Sequence, residues 1–145
     1  MSQKILLILL FIFTFQSSFS QKDKLTKKEV FSLLAKSDSL MFKAKYKQSL
    51  LLSNEALKKA IQLKNDNLIA LSYNSIAGNY EEILEEDKAL DFYKKAVFYS
   101  EKARNDTLKI WFYNNIGNIY LYRKNNIDVG IEYYDKSLEF SNRLK

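Results

Sequence analysis

The side chains able to do chemistry are few and of one kind. The chain has no His and no Cys among its 145 residues, which removes the commonest acid-base group, the thiol nucleophile and the usual zinc ligands. What remains is a carboxylate-rich stretch, Glu81, Glu82, Glu85, Glu86 and Asp87. Glu82 and Glu86 are four apart and share a helix face, and paired carboxylates can serve acid-base work or hold a hard cation. The plainer reading, which we adopt, is a solvated turn and helix cap. No Gly-rich phosphate loop and no Ser with a base at fixed spacing accompanies it. The expectation is a non-enzyme with neither cofactor nor metal.

The charge balance is basic, 23 Lys and Arg against 17 Asp and Glu, for a net +6. The Lys residues alternate with acids along the chain and lack the Arg clustering that phosphate or base readout favours, so no nucleic-acid partner is expected. Lys22, Lys24, Lys27 and Lys28 could touch anionic lipid. No amphipathic basic helix supports that, and a solvated face is the reading we take.

The elements that must position any site are set by a repeat. Asn65, Asp66, Leu68, Tyr73, Asn74, Ile76 and Tyr80 return forty positions later as Asn105, Asp106, Leu108, Tyr113, Asn114, Ile116 and Tyr120, with Ala77 answered by Gly117. Ala89, Tyr93 and Ala96 follow Tyr80, and forty positions before them stand Ser49, Ser53 and Ala56. The small residues are where helix backbones approach closely, and the rings fill the space between. In the last unit Gly130, Tyr134 and Ser137 fall one position late, and the extra residue is assigned to a turn.

Six amphipathic helices follow from this pattern. The first starts at Thr26, which forms a capping box with Glu29 before Val30, and runs to about Phe42. The second follows a turn near 43–47 and ends at Asn65-Asp66-Asn67, with Asp66 expected to cap the third helix, which runs to about Leu84. The turn Glu85-Glu86-Asp87 leads to the fourth helix, about Lys88 to Arg104. The fifth spans about Leu108 to Arg123 and the sixth about Val129 to Leu144, capped by Asp128.

The spacing of large, small and aromatic residues at Ile76, Ala77, Tyr80, Ala89, Tyr93 and Ala96 resembles the tetratricopeptide repeat. The resemblance covers about residues 30–144 and is weakest in the first unit, where Lys36, Ser37 and Leu40 replace the expected types. It implies an all-α, right-handed α-α superhelix of three helix pairs, about 26–64, 65–104 and 105–145, with helices longer than those of the usual thirty-four-residue unit. It also implies a binding scaffold. Similar modules form the extracytoplasmic input part of bacterial sensor kinases and regulators.

The chain's beginning points to export. Ile5 to Phe15 is an apolar run broken only by Thr14, and Ser18 and Ser20 precede Gln21, the layout of a cleaved signal peptide occupying residues 1–20. Eleven helical residues span only ~16 Å, against a hydrocarbon core of ~30 Å, so a retained membrane anchor is the weaker alternative. Cleavage leaves residues 21–145 as one domain, removes only Lys4 among the charges, and lowers the net charge to +5. A periplasmic or secreted location, with no stable membrane span, is the expectation.

Angular position then selects candidate binding residues. At 100° per residue, Ile116, Gly117 and Tyr120 fall within about 60° of Tyr113, the packing side, whereas Trp111, Asn115, Asn118 and Tyr122 lie within about 40° of the opposite direction. In the repeats this chain resembles, that opposite side lines a concave groove. Repeat-related positions add Leu71, Ser75, Gly78 and Glu82 from the third helix and Phe31, Ala35, Asp38 and Phe42 from the first. Rings give contact area at small entropic cost, and Asn both donates to and accepts from a peptide backbone. The groove therefore suits a protein or peptide partner, without the Lys and Arg clamp that would read a free carboxyl terminus. The competing reading is that Trp111 and Tyr122 only pack on neighbouring helices, or on a further repeat beyond Lys145. A self-assembling scaffold, with a homodimer formed through the C-terminal helix face of Ile131, Tyr134 and Leu138, is the alternative function.

Overall fold

The structure, a computed structural model, describes residues 27–144. The apolar run, the Ser20–Gln21 boundary and the capping box at Thr26 lie outside the described residues. The described chain is helical throughout: α1 (27–42), α2 (Tyr46–Gln62), α3 (Asp66–Glu82), α4 (Glu86–Lys102), α5 (Asp106–Asn118) continued by a π-helical turn (Ile119–Arg123), and α6 (Ile127–Arg143).

The helices are joined by three-residue links, and starts at 46, 66, 86 and 106 make each helix plus link twenty residues long. Each link turns on one residue of left-handed backbone: Ala44, Lys64, Leu84 and Arg104, with φ of 55, 52, 62 and 53°. The following residue closes the helix behind it in a Schellman arrangement, as in Lys45 N–H to the Leu40 carbonyl (2.9 Å), Asn65 to Ala60 (3.2 Å), Glu85 to Tyr80 (2.9 Å) and Asn105 to Ser100 (2.9 Å). That same residue is extended enough to begin the next helix. Asn65 and Asn105 accept the N–H of Leu68 and Leu108 at 3.1 Å, and Asn126 accepts that of Val129 at 3.3 Å.

These caps correct the sequence reading. The Asn residues cap, not Asp66 or Asp128, because an N-cap needs non-helical backbone and the two Asp residues already lie within the first helical turn. There their charge still meets the positive end of the helix dipole. The acidic turn is likewise displaced: the link is 83–85, and Glu86 and Asp87 open α4. The extra residue of the last unit does not sit in a turn either. It is absorbed by the π-helical turn, where Lys124 N–H reaches back five residues to the Ile119 carbonyl (3.0 Å), and the left-handed residue becomes Asn125.

Burial follows the repeat. Ala77, Ala89 and Ala96 are wholly buried with Ile116, Ile119 and Phe112, while Val30, Leu34, Ala56, Ala60, Leu68 and Ile69 form a second cluster. Removing each large apolar side chain from water contributes about 1.5–3 kcal/mol. Gly117 and Gly130 face each other across α5 and α6: a Cβ on Gly117 would meet the Gly130 carbonyl oxygen at 3.2 Å, and one on Gly130 would meet that of Gly117 at 3.3 Å. An aromatic quartet seals the outer seam of the second pair, with Tyr73 and Tyr80 against Phe92 (6.1 and 5.4 Å) and Tyr73 against Tyr99 (5.6 Å). It recurs in the third as Tyr113, Tyr120, Tyr133 and Phe140. The result is an all-α, right-handed superhelix of helix pairs. No helix among the described residues is long and apolar enough to cross a membrane.

Candidate functional site

The first helix of each pair supplies the candidate site. Phe31, Ala35 and Asp38 of α1, Leu71 and Ser75 of α3, and Trp111 of α5 come together around a cleft of about 480 Å³. Leu34, Asn74 and Leu108 complete its lining. Leu108 lies within the same angular window as Trp111, and Leu34 and Asn74 form a forty-residue row one step from Ala35 and Ser75. The helical wheel thus carries the signal for Leu108, whereas Leu34 and Asn74 lie about 80° from that direction, outside the window.

The remaining candidates stand elsewhere. Asn115 is joined to the cleft through its amide, which donates to the Asn74 side-chain oxygen at 3.0 Å. Asn118 is committed to packing, accepting the Tyr134 hydroxyl at 2.6 Å. Gly78 faces Met41, whose sulfur would lie 3.5 Å from an added Cβ. Glu82 is exposed at the end of α3. Phe42 and Tyr122, 85% and 74% exposed, project beyond the cleft. The row formed by Phe42, Glu82 and Tyr122 is therefore not part of the lining.

Behind the cleft lies a feature the sequence did not announce. Ser37, Ser49, Ser53 and Ser75 are all buried. Ser37 Oγ is 2.6 Å from Ser53 Oγ, Ser53 Oγ is 2.9 Å from Ser75 Oγ, and Ser75 Oγ donates to Asp38 Oδ1 at 3.4 Å. Ser49 donates to the Ser37 carbonyl at 2.8 Å. Ser37 and Ser49 occupy the small-residue positions answered by Ala77 and Ala89 in the next pair, and with Ser53 of α2 and Ser75 of α3 their hydroxyls satisfy one another. The equivalent of Ser53 is Tyr93 in the next pair, which donates to Glu81 at 2.8 Å. Burial and the neighbouring Glu81 push the Tyr93 hydroxyl far above its ordinary range.

Electrostatics separates Asp38 from the other acids. Partial burial raises its carboxyl above the usual carboxylate value, and the Ser75 hydrogen bond opposes the rise. Members of the acidic stretch are instead engaged in structure: Glu81 accepts a hydrogen bond from the Tyr93 hydroxyl, Glu85 pairs with Lys88 at 3.3 Å and Asp87 with Lys124 at 2.7 Å. No group of three or more potential metal ligands occurs among the described residues.

No family model matches the chain, and no curated protein matches it. Among solved structures it is similar to the TPR domain of Arabidopsis FLU, with a TM-score of 0.71 over 81% of this chain and 98% of that one, at 14% identity. Helix pairs in the same arrangement, recovered at that identity, show a shared architecture. The chain has the fold of a tetratricopeptide-repeat domain.

Proposed function

We propose that the chain is an exported protein-protein interaction module that holds an extended peptide or partner segment in the cleft of α1, α3 and α5. The observation that carries this reading is a cleft with half-exposed rings, Phe31 and Trp111, on facing helices and hydrogen-bonding groups, Asn74 and Ser75, between them. Rigid rings with adaptable amides are what a peptide-binding surface needs. Export rests on the apolar run and the small residues before Gln21. A role as the input part of a bacterial signalling protein fits the same architecture.

The test is crosslinking from periplasm with the chain as bait, beside a variant carrying Phe31→Ala and Trp111→Ala. The wild type retains a specific partner that the variant loses. Equal recovery by both would remove the cleft from the binding surface.

A second reading, self-association, is favoured by one observation. Ile131 and Leu138 of α6 are 49% and 56% exposed, whereas their counterparts one unit earlier, Leu90 and Val97, are 4% and 8% exposed beneath α5. Light scattering over a concentration series, without ligand, separates this reading from peptide capture.

A further inference from the structure

Among the described residues, Asp38 is the one charged residue in the cleft lining. Like several other acids of the chain, Asp38 has no Lys or Arg within ion-pair distance among the described residues, and what sets it apart is that it faces the cleft. Its position is nevertheless built. One proton assignment satisfies every buried hydroxyl behind it: Ser49 donates to the Ser37 carbonyl, Ser37 to Ser53, Ser53 to Ser75, and Ser75 to the Asp38 carboxylate. Each donor in such a chain polarises the next, so the relay presents its final proton to an anion. The same row holds Gly78 in α3 and Asn118 in α5, so the charge is particular to the first pair.

Around that carboxylate the cleft offers aliphatic walls, Leu34, Leu71 and Leu108, and two rings, Phe31 and Trp111. An apolar channel with ring faces and one unpaired anion matches a side chain that is aliphatic along its length and cationic at its tip. We propose that the cleft takes a Lys or Arg side chain of a partner peptide, its stem against the leucines and rings and its charge on Asp38. This rests on the peptide-binding reading and specifies it. A segment carrying an acid at that position would be repelled.

The chain's single Trp lies in this cleft, so its emission reports occupancy directly. The probes are capped nonapeptides of Ala and Leu whose central residue is Lys, Arg, norleucine or Glu, titrated into the wild type and Asp38→Asn. Asp38 is exposed at its edge, and circular dichroism checks that the variant keeps its helices. In the wild type, the Lys and Arg peptides should bind at least tenfold tighter than the norleucine peptide, with Glu weakest. In Asp38→Asn the Lys and norleucine peptides should become equal. Equal binding of Lys and norleucine peptides to the wild type would overturn the cation assignment while leaving peptide capture standing. A Lys preference that survives in Asp38→Asn would overturn it too. If no peptide alters Trp111 emission, both the assignment and the peptide-binding reading fall.

Discussion

Ala44, Lys64, Leu84, Arg104 and Asn125 all carry side chains through left-handed backbone, a conformation costing roughly 1 kcal/mol or more for residues other than Gly and Asn. The three glycines lie instead inside α3, α5 and α6 and take no positive φ. Turn chemistry read from Gly and Pro therefore could not locate these links, since the residues that turn have no distinguishing type. Lys64→Gly should raise stability by about 0.5–1 kcal/mol, relief of strain outweighing the greater freedom of the unfolded chain, whereas Asn125→Gly should be nearly neutral. Urea midpoints of the two variants check this; a loss of stability in Lys64→Gly would show that the link is unstrained. Asp38 is likewise a site that costs the fold, here through desolvation of its carboxylate. Because its folded carboxyl pKa is raised above the unfolded value, the folded state binds the proton more tightly, and stability from this group is gained as pH falls through the folded pKa. Asp38→Asn should leave the melting temperature at pH 7 unchanged or slightly raised, and any gap to the wild type should close as pH falls toward 4. A clear drop in stability at pH 7 would mean that the carboxylate has a native partner.

The helices were largely legible, because Ile76, Ala77, Ala89, Tyr93 and Ala96 combine a 3.6-residue period with a forty-residue one, and only a stack of helix pairs satisfies both. Their ends were less so. An Asn-Asp pair offers two good caps in succession, and the left-handed residue before it, invisible in the sequence, decides that Asn65 and Asn105 take the role. Phe112, wholly buried, was also missed, since it lies about 100° from Tyr113 and the packing face is wider than the window drawn around that residue. The small-residue positions are legible in the sequence. Ala96 has no exposed surface, so Ala96→Phe should destabilise by ~1–3 kcal/mol or more, against about 0.5 kcal/mol or less for exposed Lys94→Ala. Chemical denaturation of the two variants, with equal midpoint shifts as the contrary result, checks the assignment. The same reasoning reaches Gly130, whose added Cβ would lie 3.2 Å from that of Leu121; Gly130→Val should force α5 and α6 apart.

At the scale of the whole molecule the outward faces of α1 and α6 differ. The positions by which α5 packs on its predecessor, Leu108, Phe112 and Ile116, correspond in α1 to Lys28, Ser32 and Lys36, all exposed. That face of α1 is polar. The outward face of α6 instead repeats the apolar pattern that α4 presents to α5, and Ile131 and Leu138, seven residues apart, put two aliphatic side chains on one helical face. Head-to-tail growth would set this strip against lysines and is disfavoured; a two-fold pairing of α6 with α6 covers aliphatic surface with aliphatic surface and closes. Tyr134, expected to share that face, is not free to do so, because its hydroxyl is bound to Asn118 and its ring lies 3.2 Å from a Cβ built on Gly117. A charge at Tyr134 would test the fold rather than the pairing. The informative variant is Ile131→Glu with Leu138→Glu, which leaves every hydrogen bond described above in place. Sedimentation should show a concentration-dependent dimer for the wild type and a monomer with unchanged helix content for the variant. A wild type that stays monomeric throughout the series would leave the strip without a partner of its own kind and end the case for pairing.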